Sequence, residues 1–357
     1  MTTNATNSTT VEDRDRMDAY LAARRRGMKW LLARVRPDGA VGDPRDGYKF
    51  YRALWTFGLT GEVEAAHRVA GWYRRNALTP DARIDGPFRI QRDGWAYRDS
   101  TLVVGAQQIG AYDLGIALIP ELFKSQDPVS GAFANDRTED GGYSDEMDIP
   151  YACGPGFALL ASGDVAGARR IAAFLRRSWG AQTELPDRFF AFWSRSRQRP
   201  ILPSDPDFLP HFEVDNGADR MQRWTIGGIA AAFLCRLYLA DPDPAHLELA
   251  RRYQAFSMAA SDAQFKYPSV CKSSWGSALL YQITGERQYR DWTLRMGDWY
   301  VATQKPEGHW HPWVERTEGD VVEITLEFVM HLDTLIAGLV AGDAGRLTAD
   351  GGPARYT

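Results

Sequence analysis

Cysteine is scarce: 357 residues hold three, Cys153, Cys235 and Cys271, odd in number and far apart. That argues against a disulfide scaffold and fits a reducing compartment. No lysine-rich tract or basic stripe stands out, and 42 basic against 46 acidic residues leave a net charge of −4. Nucleic acid is therefore not an expected partner. The longest apolar stretch, IGGIAAAFLCRLYLA, is too short for a bilayer and is interrupted by Arg236. The opening MTTNATNSTT has no apolar signal-peptide core and reads as a disordered tail over 1–12. No segment alternates convincingly as a strand. None of the six His stands in a persuasive relation to Cys153 or Cys271, and no pair has structural-zinc spacing, so no metal is expected. Magnesium would enter only with a diphosphate substrate. The expectation is a soluble, cytoplasmic protein that binds a small molecule. The sequence leaves its oligomeric state open.

What is present is aromatic and repetitive. Twelve Trp is a high count, and such side chains are retained where they pack or bind. QKPEGHW sets Gln304, Gly308 and Trp310 just after a helical run. Weaker versions recur as RPDGAVGD at Gly39, LTPDARIDG near Asp81, QDPVSGAF with Gln126, Gly131 and Phe133, QTELPDRFF near Pro186, and SDAQFKYP near Phe265. Each follows an amphipathic run and stops it with Pro or Gly. Between them, stretches such as LTGEVEAAHRVAGWYRR and ASGDVAGARRIAAFLRR close one helix with a Gly or Asp turn and open the next. Six such units of roughly 60 residues predict six helical hairpins. The more apolar helix of each pair, at 46–59, 99–116, 148–162, 220–240, 270–283 and 320–340, would form an inner ring. The prediction is an all-α (α/α)6 toroid over 13–342, with a flexible tail over 343–357. An open solenoid is the alternative, disfavoured because no capping repeat is evident.

QKPEGHW resembles the Gln-x3-Gly-x-Trp repeat of squalene–hopene and oxidosqualene cyclases, in the alpha/alpha toroid superfamily. GHWHPWVE followed by VVEITLEFVMHL is similar in form to a loop and helix of unsaturated glucuronyl hydrolases, which are six-hairpin glycan-active enzymes. The resemblance implies the toroid and a role for the repeat in stiffening it: Gly308 turns the chain, Trp310 packs the turn, and neither need touch substrate. The Asp-x-Asp-Asp acid motif of the triterpene-type cyclases is missing. Its nearest counterpart, SDEMD, puts Met147 at the third position. The zinc signatures of prenyltransferase beta subunits and lanthionine cyclases, toroids as well, are absent too.

In such a ring the loops entering the inner helices meet at one mouth. The residues expected there are Tyr48, Lys49 and Tyr51; Trp95 and Asp99; Asp145, Asp148, Tyr151 and Cys153; Arg220, Arg223 and Trp224; Cys271, Lys272 and Trp275; and His311, Trp313 and Glu323. Carboxylates beside aromatic walls suit acid–base work, and Trp or Tyr faces suit a cation or a sugar ring. Asp148 is the expected proton donor, in an apolar setting of Met147, Ile149 and Pro150. Asp99 or Tyr151 is its expected partner, with Asp145 and Cys153 as further catalytic candidates. The remaining residues are expected to bind substrate. Trp193–Pro200 reads as a loop insertion that could act as a lid. The preferred function is a terpenoid-cyclase-like lyase or isomerase acting on an apolar, prenylated substrate. A glycan-active hydrolase, lyase or epimerase is the rival, and a non-catalytic repeat platform the third reading. A deep apolar pocket favours the first, and a polar cleft with aromatic platforms the second.

Overall fold

The computed structural model describes residues 11–86, 88, 95–138 and 140–349. Twelve helices account for most of them: α1 (Val11–Leu32), α2 (Ala53–Thr60), α3 (Val63–Asn76), α4 (Trp95–Gln108), α5 (Tyr112–Lys124), α6 (Ile149–Ala161), α7 (Val165–Gly180), α8 (Thr225–Ala240), α9 (Pro244–Ala259), α10 (Lys272–Thr284), α11 (Arg287–Thr303) and α12 (Glu318–Ala349). The even-numbered helices form a closed inner ring, each packed on the next and α12 packed on α2. The odd-numbered helices lie outside them. In α8 every residue from Ile226 to Cys235 is buried, as a helix packed on both sides requires. In α7 the buried residues recur at helical spacing and the arginines between them face water.

Five hairpins are contiguous in sequence. The sixth is not: α12 takes α1, from the other end of the chain, as its outer partner. Arg24 on α1 forms an ion pair with Asp333 on α12 at 2.6 Å. The Tyr20 hydroxyl donates to Asp298 on α11 at 2.7 Å. The two ends of the chain thus close the toroid.

The repeat is a docking device. The Gln304 amide donates to the carbonyls of Gly308 and of Ala23 on α1, both at 2.8 Å. Gly308 has φ +105°, and a Cβ there would lie 2.5 Å from the Arg26 carbonyl oxygen. Trp310 is buried, and its indole donates to the Tyr300 carbonyl at 2.9 Å. The degraded copies repeat this arrangement. Gly131 presses on the Arg170 carbonyl of α7 while Gln126 donates to the Gly131 carbonyl, and Gly39 presses on the Arg68 carbonyl of α3. Each of these loops leaves one outer helix and seats on the next. Gly308→Ala should therefore cost about 2–3 kcal/mol from left-handed strain plus the clash, read by denaturant titration. An unchanged midpoint would contradict this reading of the repeat.

Three expectations are corrected. First, five short strands exist: β1 (Glu146–Asp148), β2 (Arg188–Phe190), β3 (Phe192–Ser194), β4 (Arg199–Pro200) and β5 (Glu213–Asp215). They form an antiparallel β1-β3-β4 sheet and a β2-β5 pair. Strands of two or three residues are too short to show alternation. The stretch Trp193–Pro200 is thus a hairpin whose β3 pairs with β1, Met147 opposite Trp193. Second, the inner helix expected over 99–116 ends at Gln108, because Gly110 turns with φ +77° and α5 starts at Tyr112. Third, the tail expected from 343 begins later. Helix α12 runs to Ala349, and Asp343 accepts from Tyr281 and pairs with Arg290. At the other end α1 starts at Val11, and the preceding ten residues of the expected tail lie outside the described residues.

Candidate functional site

The inner helices run parallel, so their N-terminal ends and the loops before them share one face. Helix α12 brings the densest chemistry to it. Asp320, Glu323, Glu327 and His331 recur every three or four residues and line one stripe from the mouth inward.

Near the mouth, Lys49 Nζ contacts Glu323 at 2.8 Å and Asp320 at 3.0 Å. The Arg98 guanidinium donates to Glu323 at 3.0 Å and to the Tyr48 carbonyl at 2.8 Å. Burial pulls the Glu323 pKa upward, but Arg98 and Lys49 outweigh it and hold the carboxyl below its usual range. One turn deeper, Glu327 meets Arg52 at 3.4 Å, the Cys271 thiol at 3.5 Å, His331 Nε2 at 3.4 Å and the Lys272 ammonium. Arg52 donates to the hydroxyls of Tyr51 at 2.8 Å and Tyr97 at 3.3 Å, while its Nε and Nη1 are buried without hydrogen-bond partners. Burial pushes Lys272 down to about 7, raises the Cys271 thiol, and keeps the His331 imidazole well below its ordinary value and so neutral. Beneath lies an aromatic floor. Phe157 stacks on Trp275 at 4.5 Å, Trp55 meets the same indole edge-on at 5.5 Å, and His331 lies 5.4 Å from it.

Exposure is uneven across this cluster, and the Asp320 carboxylate, at 5%, is as sealed as the cations. The cationic side chains are nearly sealed: Lys49 at 4%, Arg98 at 8%, Arg52 at 1% and Lys272 at 5%. The carboxylates of Glu323 and Glu327 keep 19% and 11%. Glu323 is thus the most accessible charged group of the cluster, backed by buried positive charge, and Tyr97 and Tyr151 are half-buried.

A second centre lies to one side of the mouth. A cavity of about 250 Å³ is lined by Tyr48, Trp95, Glu121, Arg137 and Tyr143, among others. Arg137 stacks on the Trp95 ring at 3.9 Å and binds Glu121 at 2.6 Å. Asp99 is buried with Oδ1 unpartnered, and its electrostatic neighbours include the same Arg137 and Glu121. Burial pushes its carboxyl up to about 8, against the opposing pull of Arg137 and Arg98.

The other expected site residues take different places. Asp148 is fully buried but caps α6, with Oδ1 accepting from the Tyr151 amide at 2.7 Å and Oδ2 from Arg223 at 2.7 Å. The amide and the guanidinium each bind one carboxyl oxygen, so the residue expected as proton donor also serves as the cap of α6. Asp145 binds the β3–β4 turn, accepting from Ser194 Oγ and the Ser196 amide. Cys153 is fully buried in α6, and burial beside Asp148 holds its thiol protonated. Arg220 pairs with Glu213 at 3.1 Å, and Trp224 is buried at the start of α8. His311 is exposed and pairs with Glu315. Trp313 is 56% exposed, with its ring edge-on to Tyr267 at 4.8 Å.

Tyr48, Lys49, Tyr51, Cys271, Lys272, Trp275 and Glu323 do meet in or beside the central cluster, as expected. Sequence reasoning placed Tyr97 at the mouth but missed Arg52, Asp320, Glu327 and His331. It also held that no His stands near Cys271, and that is corrected: one turn of α12 carries Glu327 and His331 to the head of α10. The available signal was three polar residues at four-residue intervals within the otherwise apolar VVEITLEFVMHL.

No protein-family model and no curated protein sequence matches this chain. Solved structures do match. A D-mannose isomerase aligns with TM-score 0.64 and 13% identity over 89% of this chain and 97% of its own. The type II terpene cyclase MstE from Scytonema, in complex with geranylgeranyl dihydroxybenzoate, aligns with TM-score 0.59 and 13% identity over 91% and 99%. A glycoside hydrolase family 76 mannosidase from Bacteroides thetaiotaomicron aligns with TM-score 0.57 and 10% identity over 92% and 100%. At such identities the likeness speaks for the fold, and with the closed ring of six inner and six outer helices it makes this chain an alpha/alpha toroid protein.

Proposed function

We propose that this chain is an enzyme that moves a proton on a small polyhydroxylated, sugar-like substrate, in an isomerase or epimerase reaction. The observation that carries the reading is the Glu323 carboxylate, 19% exposed and backed by the sealed cations Lys49 and Arg98. Carboxylate oxygens accept from sugar hydroxyls, and Arg98 and Lys49 hold the Glu323 carboxyl below its usual range. Glu323 takes the proton from the carbon next to the substrate carbonyl. Arg98 and Arg52, sealed behind the carboxylates, stabilise the negative charge that forms as fixed positive charge rather than by contact. The proton then returns to the neighbouring carbon, or to the opposite face of the same carbon. Trp313 with Tyr267 offers a rim platform for a sugar ring. Three free, buried cysteines agree with the reducing cytoplasm, where we place the protein.

A prenylated substrate is the second reading, favoured by the floor of Trp55, Phe157 and Trp275. The buried cations Lys49, Arg52 and Arg98 above that floor speak against it, because they would repel a carbocation. A panel assay separates the two. Aldoses, ketoses, amino sugars and uronic acids are incubated in parallel with linear polyprenyl compounds, and products are resolved by chromatography. Turnover of a sugar to its isomer or epimer is expected. Cyclised polyprenyl product with inert sugars would overturn the proposal.

A further inference from the structure

Cys271 Sγ, a Glu327 oxygen and a His331 ring nitrogen all lie within 4.8 Å of one another, and all three residues are buried. The Cys271–Glu327 separation is 3.5 Å and the Glu327–His331 separation 3.4 Å. A tetrahedral zinc ion with thiolate, carboxylate and imidazole ligands places such donors about 3.3–3.5 Å apart. These distances therefore fit the edges of a zinc coordination polyhedron. The donors are also fixed in advance. Glu327 and His331 stand one turn apart on α12, a helix packed on α1, α2, α10 and α11. Cys271 is the residue from which α10 starts, and its carbonyl accepts from the Ser274 and Tyr300 hydroxyls.

We propose that Cys271, Glu327 and His331 form a binding site for one transition-metal ion of the zinc class, with the fourth position left to a non-protein ligand. Three protein ligands and one open position make a site that can polarise a bound oxygen. The proposal extends the proton-transfer reading by giving the carbonyl oxygen an electrophile, but the site stands on the geometry of these three donors. One group competes for it. The Lys272 ammonium sits on the Glu327 oxygen that the ion would take. Metal binding therefore displaces Lys272, whose Nζ already lies 5.6 Å from the centre of the Tyr97 ring.

The test reads metal, not turnover. The full chain, stripped with chelator, is titrated with Zn2+ by calorimetry and with Co2+ by absorption. We expect one ion per chain and a near-ultraviolet thiolate-to-cobalt band. Cys271→Ser and His331→Ala should each weaken binding at least tenfold and, for Cys271→Ser, abolish the band. Cys153→Ser, which alters a buried thiol outside the site, should change neither. Lys272→Met removes the competitor and should tighten binding severalfold, so the proposal stays exposed even if a ligand variant fails to fold. It is overturned if wild type binds no Co2+ through thiolate, if Cys271→Ser binds as wild type does, or if Lys272→Met weakens binding. A chain that binds the ion and leaves sugars untouched would keep this site and refute the proton-transfer reading alone.

Discussion

Glu323→Gln is expected to cost about 3 kcal/mol of stability and to lower turnover by roughly 10²–10⁴-fold. Both effects have the same source. Glu323 is the shared counter-charge of Lys49 at 2.8 Å and Arg98 at 3.0 Å, both nearly sealed from water. Glutamine keeps the shape and removes the charge. Lys49 then retains only Asp320, and Arg98 loses the carboxylate that faces it. A buried cation stripped of its partner costs far more than an exposed pair gains. Because the fold lowers the Glu323 pKa, its contribution is present above the unfolded value of about 4.3 and fades as pH falls below it. Wild type and variant should therefore differ at pH 7 and differ progressively less as pH falls below about 4.3. Adding Lys49→Met should recover part of the stability and none of the turnover, since it removes an unpaired cation but restores no proton acceptor. Equal stability of wild type and Glu323→Gln at pH 7 would contradict the account of the cluster.

Asp99→Asn should change how stability depends on pH. Burial raises the Asp99 carboxyl to about 8 in the folded chain, against about 3.9 unfolded. Between those values the folded state holds a proton that the unfolded state releases, so stability declines as pH rises from about 4 to about 8 and is level above that. For this one group the loss is on the order of 3–6 kcal/mol. Asparagine has nothing to ionise and lacks this slope. The variant should match wild type near pH 4 and exceed it in melting temperature at pH 8.5. Parallel stability curves from pH 4 to 8.5 would show that Asp99 ionises freely in the fold. The same carboxyl, beside the Trp95 and Arg137 cavity, keeps its proton at neutral pH and releases it near pH 8.

The ring was legible because period and punctuation agree. Apolar helices alternate with amphipathic ones, and Gly39, Gly131 and Gly308 mark turns that only a residue tolerant of positive φ fits. The closing hairpin was harder to foresee, since α12 and α1 lie at opposite ends of the chain and only tertiary packing joins them. The small sheets were invisible because strands of two or three residues carry no period. The surroundings of Asp148 were only half legible. Its neighbours in sequence are apolar, while its ion-pair partner, Arg223, is 75 residues away. Glu327 and His331 were hidden by the same distance, since Cys271 reaches them only when α10 packs against α12.

Hydrogen exchange at carbon is the most direct measure of the central claim, that Glu323 and its buried cations move a proton on a sugar-like substrate. The purified chain is incubated with aldoses, ketoses and uronic acids in D2O, and each is followed by proton NMR. The account predicts deuterium wash-in at the carbon next to the carbonyl of at least one sugar, slowed at least a hundredfold in Glu323→Gln that remains folded at the assay temperature. Absence of exchange in every sugar, or exchange that persists undiminished in Glu323→Gln, would contradict it.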